Sequence, residues 1–103
     1  MKMLTAKSGR RNLKMEIKVQ KLNQDQLQKM GVFGWPLWEK EVSRFDWHYD
    51  DVEECYFLKG KVTVETEDGK SVSFGNGDFV VFPKGLSCIW DIKEAVKKHY
   101  NFR

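Results

Sequence analysis

The side chains able to do chemistry are concentrated in two short stretches of this 103-residue chain. The first stretch holds Asp46 and His48, with Glu53 following. The second holds Cys88, which comes shortly after a Pro-x-Gly turn. Carboxylate, imidazole and thiol groups can transfer protons, form ion pairs or bind transition metals. A carboxylate on the inner face of a strand must be paired, hydrogen-bonded, protonated or metal-bound, because a bare buried charge is costly.

Short strands and turns must position these residues. Apolar and polar residues alternate over 15–21, as in a half-buried strand, and Asn23 with Gln26 predicts a capping box at the start of a short helix over 23–30. Asp68-Gly69 between two alternating runs predicts a hairpin. Strands at this spacing, separated by Gly and Pro turns, indicate a sandwich or barrel. The strands predicted after the helix are 62–66, 71–74, 79–82, 86–92 and 96–102.

Two spacings then resemble the motifs of the cupins, which are small jelly-roll β-barrels. Six residues separate Glu53 from Gly60, and the second motif runs Gly77, five residues, Pro83-x-Gly85, two residues, Cys88. With the tryptophans at 35, 38, 47 and 90, the segment 35–103 looks like the small single-domain cupins grouped with ureidoglycine aminohydrolase. The resemblance implies an all-β fold, a single small antiparallel barrel with one short N-terminal helix.

The resemblance also implies a metal site. Asp46 and His48 stand at the first two histidines of the cupin motif, Glu53 at its glutamate and Cys88 at its third histidine. Strand periodicity supports convergence, because Asp46 and His48 share one face of their strand. A thiolate ligand favours zinc or iron over a hard ion. The four residues are therefore predicted to face one cavity. This cavity is predicted to bind one divalent transition metal, zinc or iron, or no metal at all. The side chains predicted to line a ligand pocket beside it are Cys55, Phe57 and Trp90.

Structural interpretations of the same residues stay open. His48 could be the hydrogen-bonded partner of Glu53, and both cysteines could be small buried hydrophobic residues. Lys97 and Lys98 are interpreted as solvated charges.

Three functions follow. The resemblance implies a metal-dependent enzyme that deaminates a small ureide or another nitrogen-rich carboxylate by hydrolysis. The alternatives are a metal-free pocket for a small molecule and a structural or dimerising module. Fold alone does not choose among them. A homodimer is expected, because it would supply a second barrel to match the two cupin domains of the aminohydrolases.

The charge distribution limits the partners. The segment 1–14 carries five basic residues and no acid, whereas the remaining 89 residues are net −2. We therefore expect a flexible basic tail over 1–14 that can be removed, a cupin domain over 15–103 and no specific nucleic-acid binding. No apolar stretch is long enough for a bilayer, and two cysteines without C-x-x-C spacing predict free thiols. These features favour a cytoplasmic protein without a membrane partner, with organellar targeting by 1–14 left open.

Overall fold

The computed structural model describes residues 15–103, and the predicted tail over 1–14 lies outside the described residues. The described part is mostly strand, with one short α-helix and one 3₁₀ turn over Val32–Gly34. This confirms the predicted all-β class with a short N-terminal helix. In chain order the elements are β1 (Lys18–Gln20), α1 (Gln24–Lys29), β2 (Leu37–Lys40), β3 (Ser43–His48), β4 (Glu53–Thr66), β5 (Ser71–Gly75), β6 (Phe79–Phe82) and β7 (Ser87–Phe102).

Two long strands, β4 and β7, organise the sheet. They pair antiparallel along most of their length, from Glu53 opposite Phe102 to Thr66 opposite Cys88. The other edge of β7 pairs with β2 and β3, and the other edge of β4 pairs with β6 and β5. The β1 strand completes the sheet beside β6. The predicted strands 86–92 and 96–102 are therefore one strand, because β4 pairs with both of them.

A glycine bulge bends β4 in the middle. The pairing of β4 with β7 shifts register between Phe57 and Val62, and Gly60 within this interval has a φ of +118°. A Cβ at Gly60 would lie 2.9 Å from the carbonyl oxygen of Ala95 and 2.9 Å from Cα of Val96. Bulges sharpen the local bend and twist of a strand. The bend lets one strand contribute to both ends of the curled sheet.

The local signals at α1 and the hairpin are confirmed. The Asn23 side chain accepts a hydrogen bond from the backbone N–H of Gln26 at 2.8 Å, and the Gln26 side chain accepts one from the backbone N–H of Asn23 at 2.9 Å. Gly69 closes the turn between β4 and β5 with a φ of +84°. None of the helices over residues 15–103 is long and apolar enough to span a bilayer.

Aromatic side chains fill the interior of the curled sheet. Trp90 is 2% exposed, and its ring lies within 6.3 Å of five other aromatic rings. A smaller cluster of Leu27, Val32 and Phe79 packs beneath α1. The larger cluster, which includes Trp90, borders a cavity, and this cavity contains the candidate site.

Candidate functional site

A cavity of about 250 Å³ opens between β2, β3, β7 and the start of β4. Its wall is largely aromatic, with two charged side chains set into it. Trp47 and Phe102 are 47% and 48% exposed, so they form its solvent-facing rim. The lining residues are Trp38, Phe45, Trp47, Tyr49, Glu53, Trp90, Lys98, Tyr100 and Phe102.

The two charged side chains form a buried ion pair. Nζ of Lys98 lies 2.7 Å from Oε2 of Glu53, and each side chain is only 5% exposed. The expectation that Lys98 is a solvated charge is wrong. Side chains alternate along β7, so Lys98 faces inward together with Val96, Tyr100 and Phe102. This alternation was visible in the sequence and could have identified Lys98.

Aromatic rings surround the Lys98 ammonium. Its Nζ lies 4.8 Å from the ring centroid of Trp38, 4.8 Å from that of Trp90 and 5.7 Å from that of Phe57. A cation over an aromatic face is stabilised by the ring quadrupole, and the gain rises when water is excluded. The rings and the Glu53 carboxylate together replace the water shell that the ammonium lost.

Trp90 is held in place by its neighbours. Its Nε1 donates to the Tyr49 hydroxyl at 3.2 Å, and Phe45 stacks on it with the ring planes 16° apart. Burial, followed by the negative charge of Glu53, raises the pKa of the Tyr49 hydroxyl well above its usual range. Tyr49 is therefore a neutral phenol at physiological pH and stays available as the acceptor for Trp90.

The predicted metal ligands are divided between two places. Glu53 lies in the aromatic cavity, whereas Asp46 and His48 border a separate, more open depression at the end of β3. Cys88 lies at the edge of that depression, but it is only 5% exposed and packs in the core on the same face of β7 as Trp90. Asp46 and His48 do share a face, as expected, but that face points outward and Phe45 and Trp47 point inward. Among residues 15–103, no three His, Cys, Asp or Glu side chains stand close enough to hold a metal ion.

The contacts of these residues explain their positions without a metal. Nδ1 of His48 lies 2.6 Å from the Ser87 hydroxyl, and its side chain is 55% exposed. Burial, with a smaller contribution from the charge of Glu53, raises the pKa of the Cys88 thiol to about 11. Cys88 is thus a neutral thiol in the metal-free protein. The donor set does not fit a metal centre as it stands.

The three residues predicted to line a ligand pocket lie in different places. Trp90 lines the cavity, and Phe57 lies behind it, beneath the Lys98 ammonium. Cys55 is completely buried, and its Sγ donates to the carbonyl oxygen of Val80 at 3.6 Å. Burial raises the pKa of the Cys55 thiol, so this residue is part of the core.

Comparison with known proteins identifies relatives. The model of the EutQ-like cupin domain matches residues 27–100. Among curated proteins, none matches the chain.

Solved structures show the same architecture. A DUF861 family protein from Thermotoga maritima is 53% identical, with a TM-score of 0.84 over 85% of this chain and 100% of that chain. The EutQ protein of Clostridium difficile is 19% identical, with a TM-score of 0.59 over 84% of this chain and 66% of that one. At this lower identity the similarity concerns the fold alone.

Proposed function

The chain belongs to the EutQ-like cupin domain family, and from this premise we propose that it binds a small, flat organic molecule in the aromatic cavity without a bound metal. The observation that carries the proposal is the Glu53–Lys98 pair, which sets one donor and one acceptor group into an otherwise aromatic wall. Concave, mostly apolar sites with a few convergent polar groups are typical of small-molecule sites.

The dimensions of the cavity limit the ligand. Sites for drug-sized molecules usually span about 300 to 1,000 Å³. This cavity, at about 250 Å³, lies below that range. The proposed ligand is therefore about the size of one substituted ring, packed against the rim residues Trp47 and Phe102.

The finer prediction, a metal-dependent aminohydrolase of the ureidoglycine type, remains a second hypothesis. It requires a metal to replace the Lys98 ammonium at Glu53 and to bring Asp46, His48 and Cys88 toward that carboxylate. The separation of these residues disfavours it. A homodimer, a structural role and a cytoplasmic location stay predictions from the sequence.

The proposal is tested by titrating the protein with benzyl alcohol, a neutral ring-sized probe. We expect saturable changes in the indole N–H signals of Trp38 and Trp90 in NMR spectra, with the same affinity in the presence of EDTA. Trp38→Leu should weaken binding several-fold, because it removes one aromatic wall. Trp35→Leu is the matched control, since Trp35 packs against Phe79 in the cluster beneath α1.

Two results would contradict the proposal. One is the absence of saturable binding to the wild-type protein. The other is binding that appears only after zinc or iron is added and that Cys88→Ser abolishes. The latter would support the metal-dependent hypothesis instead.

A further inference from the structure

We propose that the ligand of this cavity is electrically neutral and carries a hydrogen-bond donor and an acceptor side by side, as a primary amide does. This inference rests on the proposed function, because it specifies the ligand of the same cavity. Its premises are the charge balance of the wall and the geometry of the Glu53–Lys98 pair.

The wall of the cavity is already charge-balanced. Of the residues within 15–103 that line it, Glu53 and Lys98 are the charged ones, and they neutralise each other at 2.7 Å. A bound carboxylate or ammonium would add one unbalanced charge beside two side chains that are each only 5% exposed. Burying an unpaired ion is strongly unfavourable, whereas a neutral polar group is accepted if its hydrogen bonds are made. The balanced pair therefore selects against ions of either sign.

The pair leaves hydrogen-bonding capacity on both partners. An ammonium has three donors and a carboxylate has two acceptor oxygens. Their mutual bond joins Nζ of Lys98 to Oε2 of Glu53, and Oε1 takes no part in it. Lys98 can thus donate to a ligand while Glu53 accepts from the same ligand. A carbonyl next to an N–H matches both groups at once.

The aromatic surroundings reinforce this selection. The rings of Trp38 and Trp90 hold the ammonium of Lys98 in place, each at 4.8 Å, so it does not need an anionic ligand as a partner. Both charged side chains are 5% exposed, so neither can turn into solvent to accommodate an ion without giving up its burial. A site preorganised in this way discriminates by the cost of leaving groups unpaired.

The test uses three probes with the same ring: benzamide, benzoate and benzylamine, the last protonated at pH 7. Titration followed by the indole signals of Trp38 and Trp90 gives their dissociation constants. We expect benzamide to bind at least about tenfold more tightly than either ion, because only the ions leave an unbalanced buried charge. Benzyl alcohol is the reference for packing of the ring alone.

Variants test whether the pair causes the preference. In Glu53→Met/Lys98→Met both charges and their hydrogen-bonding groups are removed with little change in volume, and the advantage of benzamide over benzyl alcohol should fall several-fold. The control Glu54→Met/Lys97→Met changes the neighbouring residues outside the cavity and should keep the wild-type order. Thermal melting shows that each variant is folded, and the wild-type comparison stands independently of them.

The outcomes separate the two proposals. Tighter binding of benzoate than of benzamide overturns this inference and identifies Lys98 as an anion site. Tighter binding of benzylamine overturns it in favour of Glu53 as a cation site. Binding of benzyl alcohol with no preference among the other probes overturns the inference alone. Absence of binding by all four probes overturns the proposed function as well.

Discussion

Lys98 carries one of the two buried charges in the wall of the cavity. Its ammonium lies 2.7 Å from the Glu53 carboxylate, and three aromatic rings enclose it. The contribution of such a pair is asymmetric, because removing one partner leaves the other as an uncompensated buried charge.

Lys98→Met is expected to be strongly destabilising. Loss of the ammonium leaves Glu53 unpaired, with an expected reduction in the free energy of unfolding of about 3 to 5 kcal/mol. Lys97→Met on the same strand, where the side chain is 38% exposed, should change it by less than about 0.5 kcal/mol. Urea unfolding measures both. Equal effects of the two substitutions would show that the buried pair is not important for stability.

Cys88 is expected to be an unreactive thiol. With its pKa raised to about 11, the thiolate fraction at pH 8 is about a hundredfold smaller than for a thiol titrating near 9. Alkylation by iodoacetamide at pH 8 should be slower in the folded protein than in urea by at least that factor. The rate should rise with pH up to about 11. Fast alkylation of the folded protein at pH 7 would contradict this prediction. It would show that the Cys88 thiol is accessible and readily ionised.

At the scale of elements, the two long strands β4 and β7 connect the parts of the sheet. They place Glu53 and Lys98 on neighbouring strands, and the bulge at Gly60 bends β4 between the cavity and the β4–β5 hairpin. A backbone with positive φ at this point is accessible to glycine at little cost.

Gly60→Ala is expected to damage the fold more than Gly69→Ala. Both glycines have positive φ, but a Cβ at Gly60 would contact backbone atoms at 2.9 Å, whereas a Cβ at Gly69 would meet open space. We expect a loss of about 1 to 2 kcal/mol for Gly69→Ala, from backbone strain, and more for Gly60→Ala, from strain plus the clash. Thermal unfolding of the two variants checks the order. Similar melting temperatures would mean that β4 can relax away from β7.

At the scale of the whole molecule, the interior combines aromatic packing with weakly acidic groups kept neutral. Burial raises the pKa values of Tyr49, Cys55 and Cys88, in each case mainly by removing the group from water. A group whose pKa is higher in the folded state binds more protons there than in the unfolded state at alkaline pH. Stability must therefore decrease with rising pH in that range.

The melting temperature is expected to fall as pH rises from about 9 to 11. The stabilisation from Cys88 is complete below the ordinary thiol pKa and is lost as pH approaches about 11. Calorimetry from pH 7 to 11 measures the decrease. Cys88→Ala should show a lower melting temperature at pH 7 but a shallower decline. A wild-type melting temperature that stays constant up to pH 11 would contradict the assigned burial.

Local patterns alone were enough to predict much of the fold. The capping box of Asn23, the Asp68-Gly69 hairpin and the apolar strand Phe79–Phe82 depend on residues close together in the chain, and each was confirmed. The predicted break between 92 and 96 was wrong, since pairing with β4 continues across it. Such pairing is a long-range property that local alternation does not reveal.

The sequence by itself determined the barrel class, the helix cap, the turns and the candidate residues that share a strand face. Only the tertiary structure decided which face looks inward. The inward face of β3 carries Phe45 and Trp47, so Asp46 and His48 face outward. The partner of Glu53 was likewise decided by the tertiary structure. The register pairs Glu53 with Phe102 and Phe57 with Lys98, and the inward Lys98 side chain reaches the Glu53 carboxylate from 45 residues away in the sequence. The physical reason is that alternation fixes relative orientation along a strand, whereas closure of the sheet fixes which side is buried.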